Sequence, residues 1–119
     1  MLKIDRITIA VIQMEEMVRF YNAVFDADLR PVNPHGEFPF HMGHLAGLEL
    51  FFCPNTIPQI EADKNRQQLR FVVDDIEAVI HTAVMASGNK IGDIQHEENA
   101  LVGGITDPDG NSIELIQYF

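Results

Sequence analysis

The chain has 119 residues, of which 46% are hydrophobic, and carries a formal net charge of −10 at pH 7. This length predicts a single domain, and the negative charge repels nucleic-acid phosphates, so we expect no DNA or RNA partner. We also expect a cytoplasmic protein with no membrane contact, because no apolar run could span a bilayer, the N-terminus lacks a signal-peptide pattern, and the single Cys53 allows no internal disulfide.

The spacing of apolar residues predicts ten elements in chain order. The first half is predicted to form a strand near 3–12, a helix near 14–27, and strands near 29–33, 37–44 and 47–53. The second half is predicted to form a strand near 66–74, a helix near 75–87, and strands near 90–96, 100–106 and 112–117. Asp74 or Asp75 is the predicted cap of the second helix, and Gly88 its end.

The two halves resemble each other in sequence. The stretch 6–11, RITIAV, resembles 68–73, QLRFVV, and the strand around Glu49 resembles the strand around Glu114. The offset is 62 residues from Arg6 to Gln68 and 65 from Glu49 to Glu114. Near-equal offsets indicate two copies of one β-α-β-β-β unit, at about 1–58 and 65–119, joined by a proline-containing linker within 54–64. Chance similarity is the alternative.

A tight turn is predicted before the last strand, at Asp107-Pro108-Asp109-Gly110-Asn111. The Asp-Pro pair opens such a turn, and Gly110 or Asn111 is expected to take the positive φ angle that closes it.

Strand alternation predicts which side chains share a face of the sheets. The face under the helices is apolar and comprises Leu48, Leu50, Phe52, Leu69, Phe71, Val73, Ile113 and Leu115. The opposite face comprises Arg6, Thr8, Glu49, Phe51, Gln68, Arg70, Glu114 and Ile116. Polar groups that converge on a concave sheet are typical of a small-molecule site, so we expect a small-molecule ligand there.

The paired units, the Asp-Pro-Asp-Gly-Asn turn and the Ile-Glu-Leu strand resemble the glyoxalase I, bleomycin resistance and extradiol dioxygenase superfamily, also called vicinal oxygen chelate. The resemblance covers the whole chain. It implies an α+β fold in which two βαβββ modules form an eight-stranded, cup-shaped sheet, often in a homodimer. It also implies metal ligands on the first and last strands of each module, at positions that fall on Arg6, Glu49, Gln68 and Glu114.

The metal-binding pattern of that family is only half present. Relatives that bind a metal commonly carry histidine on the first strands, where this chain has Arg6 and Gln68. Arginine is a permanent cation without a free lone pair, so Arg6 is not a ligand, and it competes for the carboxylates. Glu49, Gln68 and Glu114 offer oxygen ligands to a hard divalent ion. We therefore expect no cofactor, with a divalent metal on these three residues as the alternative.

Two hypotheses describe the retained polar residues. Arg6 and Arg70 balance Glu49 and Glu114 in formal charge, so the four residues are predicted either to form a structural ion-pair network or to serve a ligand. On the second hypothesis Arg6, Arg70 and Gln68 bind substrate, and a glutamate, Glu49 or Glu114, acts as a general base. Phe40 and Phe51 are alternatively core residues or the wall of a pocket for an apolar ligand.

The function expected from the resemblance is binding of, or action on, a small molecule in the concave cleft, without the usual metal. The alternatives are a metal-dependent lyase or isomerase resembling glyoxalase I (lactoylglutathione lyase) and an antibiotic-sequestering protein of the bleomycin type. Among the histidines, His41, His44 and His96 are candidates to enter the cleft, whereas His35 and His81 are predicted to be exposed. Cys53 is predicted to pack as a small hydrophobic residue.

Overall fold

The computed structural model describes residues 4–33, 39–62 and 67–119. The chain divides into two compact units, Met1–Glu61 and Ala62–Phe119. Each unit contains one four-stranded sheet and one helix, so the fold is α+β, as predicted. No helix in the described part of the chain is long and apolar enough to cross a membrane.

The first unit has the predicted β-α-β-β-β order. Its elements are β1 (Arg6–Val11), α1 (Met14–Phe25), β2 (Arg30–Val32), β3 (Phe40–Leu45) and β4 (Leu48–Pro54). The sheet order is β1-β4-β3-β2, in which β1 runs parallel to β4 and the other pairs are antiparallel. The helix α1 packs on one face of this sheet, where the Tyr21 ring meets Phe52 edge-on with 5.4 Å between centroids.

The second unit repeats this order. Its elements are β5 (Leu69–Val72), α2 (Ile76–Met85), β6 (Asn89–His96), β7 (Ala100–Thr106) and β8 (Ser112–Tyr118). The sheet order is β5-β8-β7-β6, again with a parallel pair, β5 and β8, between the first and last strands of the unit. The helix α2 packs over Gly103, where an added Cβ atom would lie 3.2 Å from Ile76 Cδ1 and 3.5 Å from Ile80 Cδ1.

The helix boundaries differ from the predictions at their C-terminal ends. Helix α1 ends at Phe25, two residues early, because Asp26 takes a left-handed conformation with φ of 52°. Aspartate tolerates this conformation better than most residues, so no glycine marks the end. Asp75 caps α2 as predicted, since its side chain accepts the Ala78 N–H at 3.1 Å. The left-handed residue after α2 is Ser87, with φ of 73°, rather than Gly88.

Parts of several predictions lie outside the described residues. They are the beginnings of the strands predicted from 3, 37 and 66, and the predicted exposure of His35.

The predicted division into two faces is largely confirmed. Leu50, Phe52 and Leu115 have no exposed surface, as expected for the face under a helix. We call the face of each sheet that is turned away from the helix of its own unit the open face. Leu69, predicted under the helix, is 37% exposed, and Ile116 on the open face is 5% exposed, so the apolar and polar faces are not fully separated.

A buried carboxylate organises the turn that precedes β8. The Asp107 side chain is 1% exposed and accepts three hydrogen bonds, from the backbone N–H groups of Asp109 and Asn111 at 3.0 and 2.9 Å and from Asn111 Nδ2 at 2.8 Å. Gly110 takes the positive φ angle, 90°, as one of the two predicted alternatives. A buried carboxylate is tolerated because backbone and side-chain donors replace its water.

We expect Asp107→Ala to lower the free energy of unfolding by about 3 kcal/mol, because it leaves several buried donors without an acceptor. Urea unfolding followed by circular dichroism measures this difference. The matched control is Asp74→Ala, an exposed aspartate, which should change stability by no more than about 0.5 kcal/mol. Equal effects of the two substitutions would show that the carboxylate does not hold the turn.

His41 lies on the helix side of the first sheet, not on the open face. It pairs in register with Phe52, and directly opposed residues of antiparallel strands point to the same face. Its Nδ1 atom is buried and has no hydrogen-bond partner among the described residues. Burial lowers the pKa of His41 below its usual 6.5, and a hydrogen bond with the Pro39 backbone opposes this effect.

This lowered pKa predicts a loss of stability in mild acid. As the pH falls through 6.5, the unfolded chain takes up a proton that the folded chain resists, so the free energy of unfolding decreases. His41→Gln should remove part of this decrease, measured as the difference between urea unfolding at pH 7.5 and at pH 5.5. His81→Gln, at an exposed position of α2, is the control and should leave the decrease unchanged. An unaltered pH dependence in His41→Gln would contradict the prediction.

Candidate functional site

Three polar side chains form a row across the open face of the first sheet. Arg6 on β1 is in register with Glu49 on β4, and Glu49 is in register with His44 on β3. Arg6 Nε donates to Glu49 Oε2 at 2.5 Å, and these side chains are 46% and 35% exposed. The pair is therefore formed within the protein and remains accessible to a ligand.

Two aromatic rings lie beside this row. The Arg6 Cζ atom is 4.9 Å from the centroid of the Phe51 ring, within the range of a cation–π contact. Phe40 stacks on Phe51, with 5.3 Å between centroids and 27° between planes. The structure therefore brings three of the predicted substrate-binding residues, Arg6, Phe40 and Phe51, together with the predicted base Glu49.

The second sheet contains a similar but more open row. Arg70 on β5 is in register with Glu114 on β8, which is in register with Gly104 on β7. Arg70 Nη1 lies 3.4 Å from Glu114 Oε1, and the side chains are 53% and 34% exposed. Next to this row, Gln68 Nε2 donates to Ser112 Oγ at 3.0 Å. Arg70, Gln68 and Glu114 are therefore neighbours, as the sequence indicated.

The register corrects one correspondence between the halves. Glu49 pairs with Arg6, and Glu114 pairs with Arg70, so the counterpart of Arg6 is Arg70 and not Gln68. The true offset of the first strands is 64 residues, close to the 65 between the two glutamates. The sequence comparison was two residues out of register. Because a two-residue shift leaves every side chain on the same face, the alternation of faces could not reveal this error. Both first strands thus carry an arginine beside the glutamate.

An open cavity of about 320 Å³ lies in the second unit on the side of Glu114. Its polar lining comes from four residues: Gln68, Asp93, Gln95 and Glu114. Its other lining residues are Ile91, Gly92, Val102, Gly103, Gly104 and Ile113. Arg70 is not among them, although it contacts Glu114.

The contribution of β6 to this cavity was not found from the sequence. The pairing of β6 with β7 shifts register between Ile91 and Gln95, and Gly92 takes a positive φ of 59°. A bulge of this kind redirects side chains, so Asp93 and Gln95 line the cavity. The available signal was Gly92 within an otherwise regular strand, a pattern typical of a bulge.

The remaining sequence candidates are not members of either row. His96 is exposed and pairs in register with Leu101, on the helix side of its sheet, and His81 is exposed on α2. Cys53 is half-buried on β4, with its Sγ 3.7 Å from the Pro54 carbonyl oxygen. Of the three histidines that were candidates for the cleft, only His44 lies on an open face.

The donor atoms of these rows do not match a metal centre of the family type. In the part of the chain that the structure describes, no three His, Cys, Asp or Glu side chains cluster closely enough to hold a metal ion. Arg6 and Arg70 carry fixed positive charge and no free lone pair, and each contacts the glutamate that would serve as a ligand.

Comparisons with known proteins identify a matching family and similar solved structures. A family model described as Glyoxalase/Bleomycin resistance protein/Dioxygenase superfamily matches residues 3–115. A glyoxalase-related enzyme from Fulvimarina pelagi has a similar structure, with a TM-score of 0.78 and 20% identity, covering 98% of this chain and 88% of that one. A glyoxalase/bleomycin resistance protein/dioxygenase family enzyme from Burkholderia phytofirmans PsJN gives a TM-score of 0.78 at 15% identity, covering 99% and 100%.

The fosfomycin resistance protein FosX from Listeria monocytogenes is also similar in structure, with a TM-score of 0.78, 11% identity, and coverage of 100% of this chain and 95% of that one. The curated proteins contain no match. At these identities the structural likeness establishes the fold alone. The family model spans nearly the whole sequence, and the chain belongs to the glyoxalase/bleomycin resistance protein/dioxygenase superfamily.

Proposed function

We propose that this protein binds a small organic molecule on the open faces of its sheets, and that arginine–glutamate pairs take the place of the metal centre. The observation that carries the proposal is the repetition of the pair. Arg6 faces Glu49 and Arg70 faces Glu114 at the same register position of the same pair of strands in both units. The pair recurs although the third residue of the row differs between the units, His44 in the first and Gly104 in the second.

The pairs keep binding capacity for a ligand. Each guanidinium has five N–H donors, and within the described residues each uses one of them on its glutamate. The remaining donors suit a carbonyl, carboxylate or phosphate oxygen. In the first unit, the partly exposed ring of Phe51 adds an apolar surface beside Arg6, and Phe40, which stacks on it, is buried.

The proposal includes the absence of a metal because a metal ion and an arginine would compete for the same glutamate oxygens. An arginine and a divalent cation seek the same carboxylate oxygens, and the arginine is covalently held beside them. Arginine supplies positive charge at this place without requiring a metal from solution. In an enzyme it would stabilise negative charge that develops on a substrate oxygen.

A second candidate function is a lyase or isomerase reaction of the kind that glyoxalase I performs. Glu114 favours it, because this side chain lines the cavity and its contact with Arg70 is long, at 3.4 Å. Glu114, or Glu49 in the first unit, would act as the general base beside a substrate carbonyl, and the neighbouring arginine would stabilise the resulting oxyanion.

Sequestration of an antibiotic, as by bleomycin resistance proteins, is a further form of the binding proposal, and the net charge of −10 favours it for a cationic drug.

A cytoplasmic homodimer also remains a prediction. Light scattering of the purified protein would test the oligomeric state.

The metal-free proposal predicts that one substitution creates a metal site. Arg6→His places an imidazole beside Glu49, in a row whose third member is His44, so three donors become available. We expect Ni²⁺ or Zn²⁺ to raise the melting temperature of this variant but not that of the parent protein. Isothermal titration calorimetry should then give about one ion per chain.

Two controls identify the ligands of that engineered site. Arg6→Gln and the double variant Arg6→His/His44→Ala should both fail to bind the ion. Tight metal binding by the parent protein would contradict the metal-free proposal. No gain in Arg6→His would contradict the row geometry.

A second prediction concerns the ligand itself. We expect the protein, after dialysis against EDTA, to be stabilised by a member of a panel of small aromatic carboxylates, phosphonates and organic amines in a thermal-shift assay. Arg6→Gln or Arg70→Gln should weaken that binding about tenfold, the effect of losing one charge-assisted hydrogen bond. Because both pairs are largely exposed, these variants should lose no more than about 1 kcal/mol of stability.

Arg19→Gln is the matched control. Arg19 is an exposed residue of α1, the helix that packs on the opposite face of the first sheet. Its replacement should leave binding unchanged. Stabilisation that appears only after a divalent metal is added back would overturn the proposal in favour of a metal-dependent protein.

A further inference from the structure

The rows of the two units differ at their third position. In the first unit, His44 is the register partner of Glu49, whereas in the second unit Gly104 is the partner of Glu114. The imidazole is thus replaced by a residue without a side chain. The cavity lies at this place, and Gly103, Gly104 and Glu114 are among its lining residues.

Little spare room exists for a side chain at Gly104. An added Cβ atom would lie 3.3 Å from Ile91 Cβ, slightly tighter than ordinary van der Waals contact, and 3.5 Å from Ile91 Cδ1. Ile91 is itself a wall of the cavity. Glycine at this position therefore lets Ile91 lie close to β7 and leaves the space beside Glu114 open.

The bulge in β6 forms another part of the cavity wall. Between two paired positions, β6 advances from Ile91 to Gln95 while β7 advances only from Gly104 to Val102. The extra residues on β6 include Gly92 and Asp93, both of which line the cavity. Asp93 thus lines the same cavity as Glu114.

The carboxamides of the lining leave their oxygen acceptors available to a ligand. Gln68 uses its Nε2 to donate to Ser112 Oγ at 3.0 Å, and Gln95 uses its Nε2 to donate to the Asp93 backbone oxygen at 3.3 Å. Their Oε1 atoms have no hydrogen bond with another described residue. Together with the two carboxylates, they make the polar lining rich in oxygen acceptors. No lysine, arginine or histidine is among the lining residues.

We infer that this cavity binds a small aliphatic primary amine in its ammonium form, an inference that rests on the small-molecule binding proposed above. The ammonium group, which has three donors and no acceptor, matches the oxygens of Glu114, Asp93, Gln68 and Gln95. The aliphatic part lies against Ile91 and Val102. A volume of about 320 Å³ suits a compact ligand, at the lower end of small-molecule sites. Gly104 is the residue that determines ligand size.

The test is nuclear magnetic resonance of the ¹⁵N-labelled protein, titrated with hexylamine and, separately, with hexanoate and hexanol. The two control compounds have the same chain length and differ in charge and donor number. We expect hexylamine to shift the amide signals of Gly92, Gly103 and Gly104, and the controls to leave them in place. The glycine amides are useful reporters because they line the cavity and lie in a distinct spectral region.

Three variants examine the residues responsible. Glu114→Gln should weaken hexylamine binding about tenfold by removing a charge-assisted hydrogen bond. Gly104→Ala should weaken it by displacing Ile91 into the cavity, and Glu114→Gln keeps the test decisive if Gly104→Ala fails to fold. Glu77→Gln, on the exposed surface of α2, removes one negative charge elsewhere and should leave the affinity unchanged.

The outcomes distinguish this inference from the proposed function. Shifts caused equally by hexanoate, or an equal effect of Glu77→Gln and Glu114→Gln, would overturn the amine site and leave binding on the open faces intact. Both the inference and the proposed function are wrong if hexylamine shifts none of the glycine amide signals and no compound of the thermal-shift panel raises the melting temperature.

Discussion

The parallel pairing of the first and last strands in each unit is the constraint on which the candidate site depends. Parallel strands need a crossover connection, and here the helix and two intervening strands provide it. The pairing places Arg6 beside Glu49 and Arg70 beside Glu114, although 43 and 44 residues separate the partners. Because one-residue changes of register would move either side chain to the apolar face, the burial of Leu50 and Leu115 under the helices fixes the pairs on the open faces.

The arginine–glutamate pairs also explain how charged side chains are tolerated on a sheet whose other face is buried. An isolated carboxylate on a half-buried strand loses solvation, and a neighbouring guanidinium compensates for this loss. Since each pair remains at least one-third exposed, its net contribution to stability is small. We therefore attribute the pairs to the ligand binding proposed above rather than to stability. This contrasts with Asp107, whose buried carboxylate serves the turn itself.

Much of this architecture could be predicted from the sequence, because the signals were local or periodic. Helical spacing identified α1 and α2, alternation placed Glu49 and Glu114 on the face opposite Leu50 and Leu115, and the turn chemistry around Gly110 was recognisable. The end of α1 was missed, since Asp26 takes a conformation more often taken by glycine. These successes and this error each depend on a few neighbouring residues.

The register and the cavity were less predictable, because both depend on pairing between distant strands. The stretches around Arg6 and Arg70 alternate in the same way, so a two-residue slip left every face correct and only the partner wrong. The bulge at Gly92 changes which β6 residues face the open side, and its effect depends on the pairing with β7. Sequence periodicity describes one strand at a time and does not contain this information.

The two units share one arrangement of strands and helix but differ in the side chains of their open faces. Residues under the helix must be apolar, so substitutions there are costly. The third position of the row lies on the open face and is not subject to this requirement. The first unit has His44 at this position and an aromatic stack beside Arg6. The second unit has Gly104 and an acidic, amide-lined cavity. Each unit thus combines the same kind of ion pair with a different surface, an aromatic one beside Arg6 and an acidic, amide-lined one beside Glu114.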